Sequence, residues 1–142
     1  MLDGSREKTR SALEGVDSEK VIYAESGWRV KDILAHLTAW EVEVTTSIRA
    51  YNEYKEYTIP DFTSDDDYNE MIFRRYYYTP VAQTLADWEA VRAGLISAIR
   101  AIPPERFDGQ IMCPWKKYSA IDGIVRDMVN HEAEHLHDIL NK

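Results

Sequence analysis

Ile124, Met128, His131, His135 and Ile139 follow one another at steps of four, three, four and four positions. That spacing draws a single line along an α-helix, and its aliphatic members mark the line as facing the core. Two imidazoles therefore stand where the rest of the stripe is reserved for the interior. An unpartnered polar group costs about 1–3 kcal/mol in such a place, so any fold that buries this helix must also supply the rings with partners. Helical residues four apart lie about 40° apart around the axis and one turn along it, so both rings can reach one ion. The local string His131-Glu132-Ala133-Glu134-His135 reads as His-Glu-x-x-His, the helical zinc motif with a general-base glutamate between its ligands.

Two ligands hold a metal poorly, and a catalytic zinc site normally takes three from the protein and keeps one position open. Only seven residues follow His135 in this sequence, so a third ligand is expected upstream. The remaining histidines are His36 and His137. His137 lies about 160° around the helix from His135 and is expected to face solvent near a helix end, where a positive ring suits the macrodipole. His36 sits at the edge of another apolar stripe, and facing helices of a bundle can supply such ligands across the core. His36, His131 and His135 are the candidate metal ligands. A protease is disfavoured, because neither the downstream ligand nor a strand to align a peptide is evident.

The stripe carrying His36 runs through Val30, Ile33, Leu34, Leu37, Trp40, Val44 and Ile48, predicting a helix from a cap at Ser26 to about Tyr54. A weaker face within Gly4 to Gly15 predicts a first helix ended by Gly15. After Thr79-Pro80, the stripe Val81, Leu85, Trp88, Val91, Leu95, Ile99 and Ile102 predicts a third long helix, stopped by Pro103-Pro104. The fourth opens at Ser119 with Asp122 three residues on, a capping-box pattern. Ser64 and Asp67 predict a short extra helix inside the long connection 55–78. No segment of four or more residues alternates as a strand, so the expected fold is an all-α four-helix bundle with a long crossover between helices two and three.

At 142 residues the chain suits one domain, residues 1–142. No apolar run approaches the ~20 residues of a membrane span, and the start lacks a signal-peptide layout. Cys113 is the single cysteine, which suits a reducing cytoplasm, and it is expected to be a buried small hydrophobe. A net charge of −8 without a basic stripe disfavours nucleic-acid binding. Since 7 of 9 tyrosines fall between Tyr51 and Tyr78, an aromatic homodimer face is also expected.

Two blocks, Gly27-Trp28-Arg29-Val30-Lys31-Asp32-Ile33-Leu34-Ala35-His36-Leu37-Thr38-Ala39-Trp40-Glu41 and His131 through Ile139, resemble the DinB-like superfamily of metalloenzymes. The likeness extends through Tyr68-Asn69-Glu70 and the helix ending at Pro103-Pro104. It implies a four-helix bundle in an up-down-down-up arrangement and a nickel or zinc ion on His36, His131 and His135. Relatives with known activity include S-transferases using bacillithiol or glutathione and a mycothiol-dependent maleylpyruvate isomerase. The resemblance thus implies a small-molecule electrophile as substrate and a low-molecular-weight thiol as co-substrate. Arg29 stands where many relatives carry a Ser or Thr cap, which predicts a different start for helix two. The middle of the chain also resembles a branch with a colibactin-protecting cyclopropane hydrolase, whose final histidine motif is typically altered. Both histidines are present here, which favours the metal-binding branch over a metal-free hydrolase.

An ion at these histidines would keep positions open for water, a thiol or a carbonyl oxygen. Glu132 is the base by motif, yet lies about 100° from His131 around the helix, which suits a salt bridge or a supporting role. Glu43, two turns below His36, is a second supporting candidate. Tyr68, Asn69 and Trp115 are expected at the pocket mouth. A non-catalytic, stress-related binding bundle with a structural ion is the competing reading.

Overall fold

Among the described residues there are five α-helices: α1 (Leu2–Ala12), α2 (Val30–Asn52), α3 (Asp65–Tyr76), α4 (Val81–Arg100) and α5 (Ile121–Asn141). The structure is a computed structural model and describes residues 2–142. The expected all-α bundle is therefore present, with α3 as the short helix of the crossover. Two small antiparallel ribbons accompany it, β1 (Val21–Tyr23) with β2 (Trp28–Arg29) and β3 (Ile111–Met112) with β4 (Tyr118–Ser119). Each strand has two or three residues, too short to show as alternation in the sequence. No helix among the described residues is long and apolar enough to cross a membrane.

Two expected helix starts are corrected. Ser26 does not cap α2; it lies in the turn between β1 and β2, where Gly27 takes a φ of +78°. The helix begins at Val30 instead, and Asp32 closes its first turn by accepting the Arg29 amide at 2.9 Å and Arg29 Nε at 2.7 Å. This is the reciprocal half of a capping box, with an arginine in place of the usual accepting side chain at the cap. Ser119 likewise belongs to β4, and α5 starts after Ala120 with no side-chain cap. At α3 the expectation holds, for Ser64 Oγ accepts the Asp67 amide at 3.2 Å. Gly15 adopts φ +76° in the turn that follows α1, three residues beyond the last helical residue.

The closest packing runs α1 to α4, α4 to α2, α2 to α5 and α5 back to α1, with α3 lying against α2. The apolar interior falls into two clusters. One contains Val44, Ile48, Leu95, Ile124 and Met128; the other contains Ile33, Leu34, Leu37, Trp88 and Ile139. Between them lies a layer of buried charge. Glu41 accepts from Arg6 Nη2 at 3.0 Å and from Arg92 Nε and Nη2 at 2.9 and 2.8 Å. Glu132 accepts from Arg6 Nε at 3.1 Å, Trp88 Nε1 at 3.2 Å and Ser5 Oγ at 3.2 Å. Arg6 also donates to the Trp88 carbonyl and stacks 4.2 Å from its ring centroid, while Arg92 donates to the Leu2 carbonyl at 2.8 Å. Two positive and two negative groups balance, and α1, α2, α4 and α5 contribute one each.

Candidate metal centre

His36 projects from α2, His131 and His135 from successive turns of α5. The Nε2 atoms of His36 and His135 each lie 3.2 Å from Nε2 of His131, and the three potential ligand atoms fall within 4.8 Å of one another. His36 is buried, the other two half-buried. The sequence-predicted triad is therefore brought together, while His137 is exposed on the outer side of α5.

The protonation of the rings follows from their surroundings. Burial pulls His36 down to about 3, helped by its neighbours His135 and His131 and opposed weakly by Asn69. Burial, then His131, holds His135 at about 4, against the pull of Asp138. Burial also lowers His131, with Glu134 and Glu132 opposing. All three rings are thus neutral near pH 7. The tautomer of His135 is set from outside. The Tyr23 hydroxyl donates to Asp138 Oδ2 at 2.6 Å, so its oxygen is free to accept from His135 Nδ1 at 2.8 Å. With its proton on Nδ1, His135 presents a lone pair on Nε2. This is the arrangement by which an outer partner usually orients a metal-binding histidine.

Three neutral rings with nitrogens facing inward fit a divalent cation. Bonds of about 2.0–2.1 Å in a tetrahedral arrangement separate ligand nitrogens by roughly 3.3 Å, close to the 3.2 Å found here. Hydrogen bonds alone satisfy the group poorly, since His131 Nε2 faces two other ring nitrogens and carries at most one proton. His36 Nδ1 is buried without a hydrogen-bond partner among the described residues.

A cavity of about 330 Å³ opens beside the triad, lined by His36, Trp40, Asn69, Trp115, Met128 and His131, with Asp65 and Asp127. Asn69 Oδ1 accepts Trp40 Nε1 at 2.8 Å and so fixes one indole wall. Of the expected mouth residues, Asn69 and Trp115 line this cavity. Tyr68 instead packs its ring 4.7 Å from that of Trp40 and faces a larger cavity of about 560 Å³ between α2, α3 and α4. Glu43 lines that larger cavity too, and its carboxylate accepts the Tyr57 hydroxyl at 2.6 Å. Glu132 is committed to the buried charge layer, and its carboxylate is held by groups of α1 and α4. Cys113 is buried, and burial raises its thiol to about 11.

Tyr23 and Asp138 escaped the sequence reading. Asp138 stands three residues after His135, on the same helix side, which is a usable signal. Tyr23 has no local signal, because it comes from a ribbon outside the helices. Arg6, Glu41 and Arg92 were also missed, although Glu41 lies on its apolar stripe between Leu37 and Val44, as Arg92 does between Trp88 and Leu95.

Fold and site together describe an all-α bundle with a cluster of three imidazoles in its interior that could hold a metal ion. The sequence model of the DinB superfamily matches residues 1–139, and the chain belongs to that superfamily. No curated protein and no solved structure matches the chain.

Proposed function

We propose that this chain is a metal-dependent enzyme of the DinB superfamily, in which His36, His131 and His135 hold a divalent nickel or zinc ion. The observation that carries the reading is the convergence of three neutral imidazole nitrogens beside a cavity large enough for a small molecule. When bound, the ion supplies Lewis acidity, polarising a substrate oxygen and acidifying a water or thiol. The residues of the chain do the rest. Tyr23 and Asp138 hold His135 in the binding tautomer, Asn69 locks Trp40, and Trp40, Trp115 and Met128 wall the site against bulk water. Glu132 serves the charge layer that fixes the turn between His131 and His135, and Glu43 lies outside the histidine cavity, so neither is assigned a proton-transfer role.

The substrate class is a small electrophile, attacked by a low-molecular-weight thiol such as bacillithiol, glutathione or mycothiol, or by water. The single cysteine, buried as a thiol, supports a reducing, cytoplasmic setting. A non-catalytic bundle with a structural ion is favoured by one observation, namely that only exposed Asp65 and Asp127 offer carboxylates at the cavity.

Metal analysis of protein purified without chelators tests the site. About one ion per chain is expected in the parent, and less than a tenth of that in His131→Ala and His36→Ala. A parent that neither retains metal nor takes up added nickel or zinc refutes the reading. Turnover in a panel of thiols and electrophiles then separates enzyme from structural bundle.

A further inference from the structure

The composition of the histidine cavity limits what its substrate can carry, provided the cavity is the substrate site proposed above. Apart from the imidazoles, Asn69 and Met128, its lining consists of two indoles, Trp40 and Trp115, and two carboxylates, Asp65 and Asp127. Both acids are exposed, and neither forms a side-chain hydrogen bond or ion pair among the described residues. No lysine or arginine lines the cavity. Lys116 borders an adjoining crevice that shares Trp40 and Asp65 with it, yet makes no ion pair with Asp65.

Ordinary structural roles account for only part of this. Asp65 opens α3 together with Asp66 and Asp67, where negative charge suits the helix dipole. The other two serve that role without touching the cavity. Asp127 lies six residues into α5, beyond the reach of either helix end. A separate observation also points to a ligand. His36 is only 5% exposed and lines the cavity, yet its Nδ1 has no partner. With Nε2 turned toward the other histidines, that nitrogen is left unsatisfied in the wall of the cavity, beside Asn69.

Indole faces attract organic cations through the ring quadrupole, and unpaired carboxylates supply the opposite charge. We propose that the cavity selects a substrate bearing an amine or quaternary ammonium group, bound by Trp40 and Trp115 and balanced by Asp65 and Asp127. A co-substrate carrying only carboxylates would meet two like charges at the mouth. A divalent ion on the histidines opposes the cation, so the preference is smaller with metal than without it.

Choline and its neutral isostere 3,3-dimethylbutan-1-ol differ in little but charge and make the test direct. Binding of each is measured by calorimetry and tryptophan fluorescence, on nickel-loaded and chelator-treated protein, with metal content determined in every sample. Choline is expected to bind about ten-fold more tightly than the alcohol in metal-free protein. The ratio should fall toward one in Asp65→Asn/Asp127→Asn, and should shrink in the parent as salt is raised. Asp127→Asn alone should lose part of it, which guards against any effect of the Asp65 change on α3. Equal binding of the two probes by the parent overturns the proposal, as does a preference that survives the double substitution. If the double variant loses metal affinity while its probe ratio is unchanged, the acids serve the ion and the proposal also falls. Metal uptake without probe discrimination refutes this inference alone, whereas discrimination without metal uptake refutes the metal-dependent reading alone.

Discussion

Glu41→Gln is expected to destabilise the protein by about 3–5 kcal/mol, the range found when one partner of a buried ion network is removed. Glu41 is 1% exposed and receives three guanidinium N–H groups, two from Arg92 and one from Arg6. An uncharged amide there leaves two buried arginines sharing Glu132 alone, with one positive charge uncompensated. Domains are stable by about 5–15 kcal/mol in total, so the loss is a large fraction. At about 2.1 cal/mol/K per residue, the 142 residues give an unfolding entropy of roughly 0.3 kcal/mol/K, and Tm should fall by about 10–17 °C. Urea unfolding followed by far-UV circular dichroism measures the change, with equal m values confirming a comparable unfolded state. Two controls frame the result. Arg74→Gln breaks the exposed pair with Glu70 and should cost only about 0.3–0.5 kcal/mol. Glu41→Met with Arg92→Met removes one charge of each sign, leaves Arg6 with Glu132, and should recover part of the loss. A cost below about 1 kcal/mol for Glu41→Gln, or a double variant worse than the single, would show that water reaches this layer and that the charges are not truly desolvated.

Further outcomes follow from the site. Nickel or zinc at one hundred times its dissociation constant should add about 2.7 kcal/mol to the parent's unfolding free energy and nothing to His131→Ala. Tyr23→Phe keeps the ring but frees His135 Nδ1, so metal affinity measured by competition with a chromophoric chelator should drop about ten-fold or more, with the circular dichroism spectrum unchanged. In metal-free protein, His36 and His135 titrate at about 3 and 4 when folded and near 6.5 when unfolded. The unfolded chain then binds more protons in that window, so their contribution to stability is complete above pH 6.5 and declines as pH falls toward 4. His135→Gln should therefore flatten the stability profile between pH 6.5 and 4, and an unchanged slope would contradict the lowered folded value. Cys113, 1% exposed with its thiol raised to about 11, should react with an aromatic disulfide reagent only on unfolding, whereas rapid labelling of native protein would place it at the surface.

Periodicity made the helices legible because four amphipathic stripes need one shared interior, and His131 and His135 were legible because they break a stripe otherwise made of aliphatic residues. The same signal was available for Glu41, Arg92 and Glu132, each standing at a core position of its own helix. Charged residues are common on helices, however, and only their contacts with Arg6 and with one another show that they point inward. Ser26 and Ser119 illustrate the converse difficulty. Both have good capping chemistry, but short ribbons take them up and move the caps three residues and one residue downstream, to Arg29 and Ala120. Several of the clustered tyrosines have partners within the chain. Tyr51 donates to the Arg106 carbonyl, Tyr57 to Glu43, and Tyr77 stacks against Arg29, while Tyr78 remains 91% exposed. No sequence pattern ties Tyr23 to a histidine 112 positions away.

The phenol that steers His135 is mounted on a three-residue strand whose pairing with Trp28 and Arg29 is already irregular. Lengthening or shortening the Ala24–Gly27 hinge by one residue would swing that phenol off the imidazole while every helix stayed in place. Control over how firmly an ion is gripped thus resides in a small ribbon outside the helices, anchored to the core by Ile22. Relatives could retune it by drift at positions 24–27, leaving the Ile22 anchor in place.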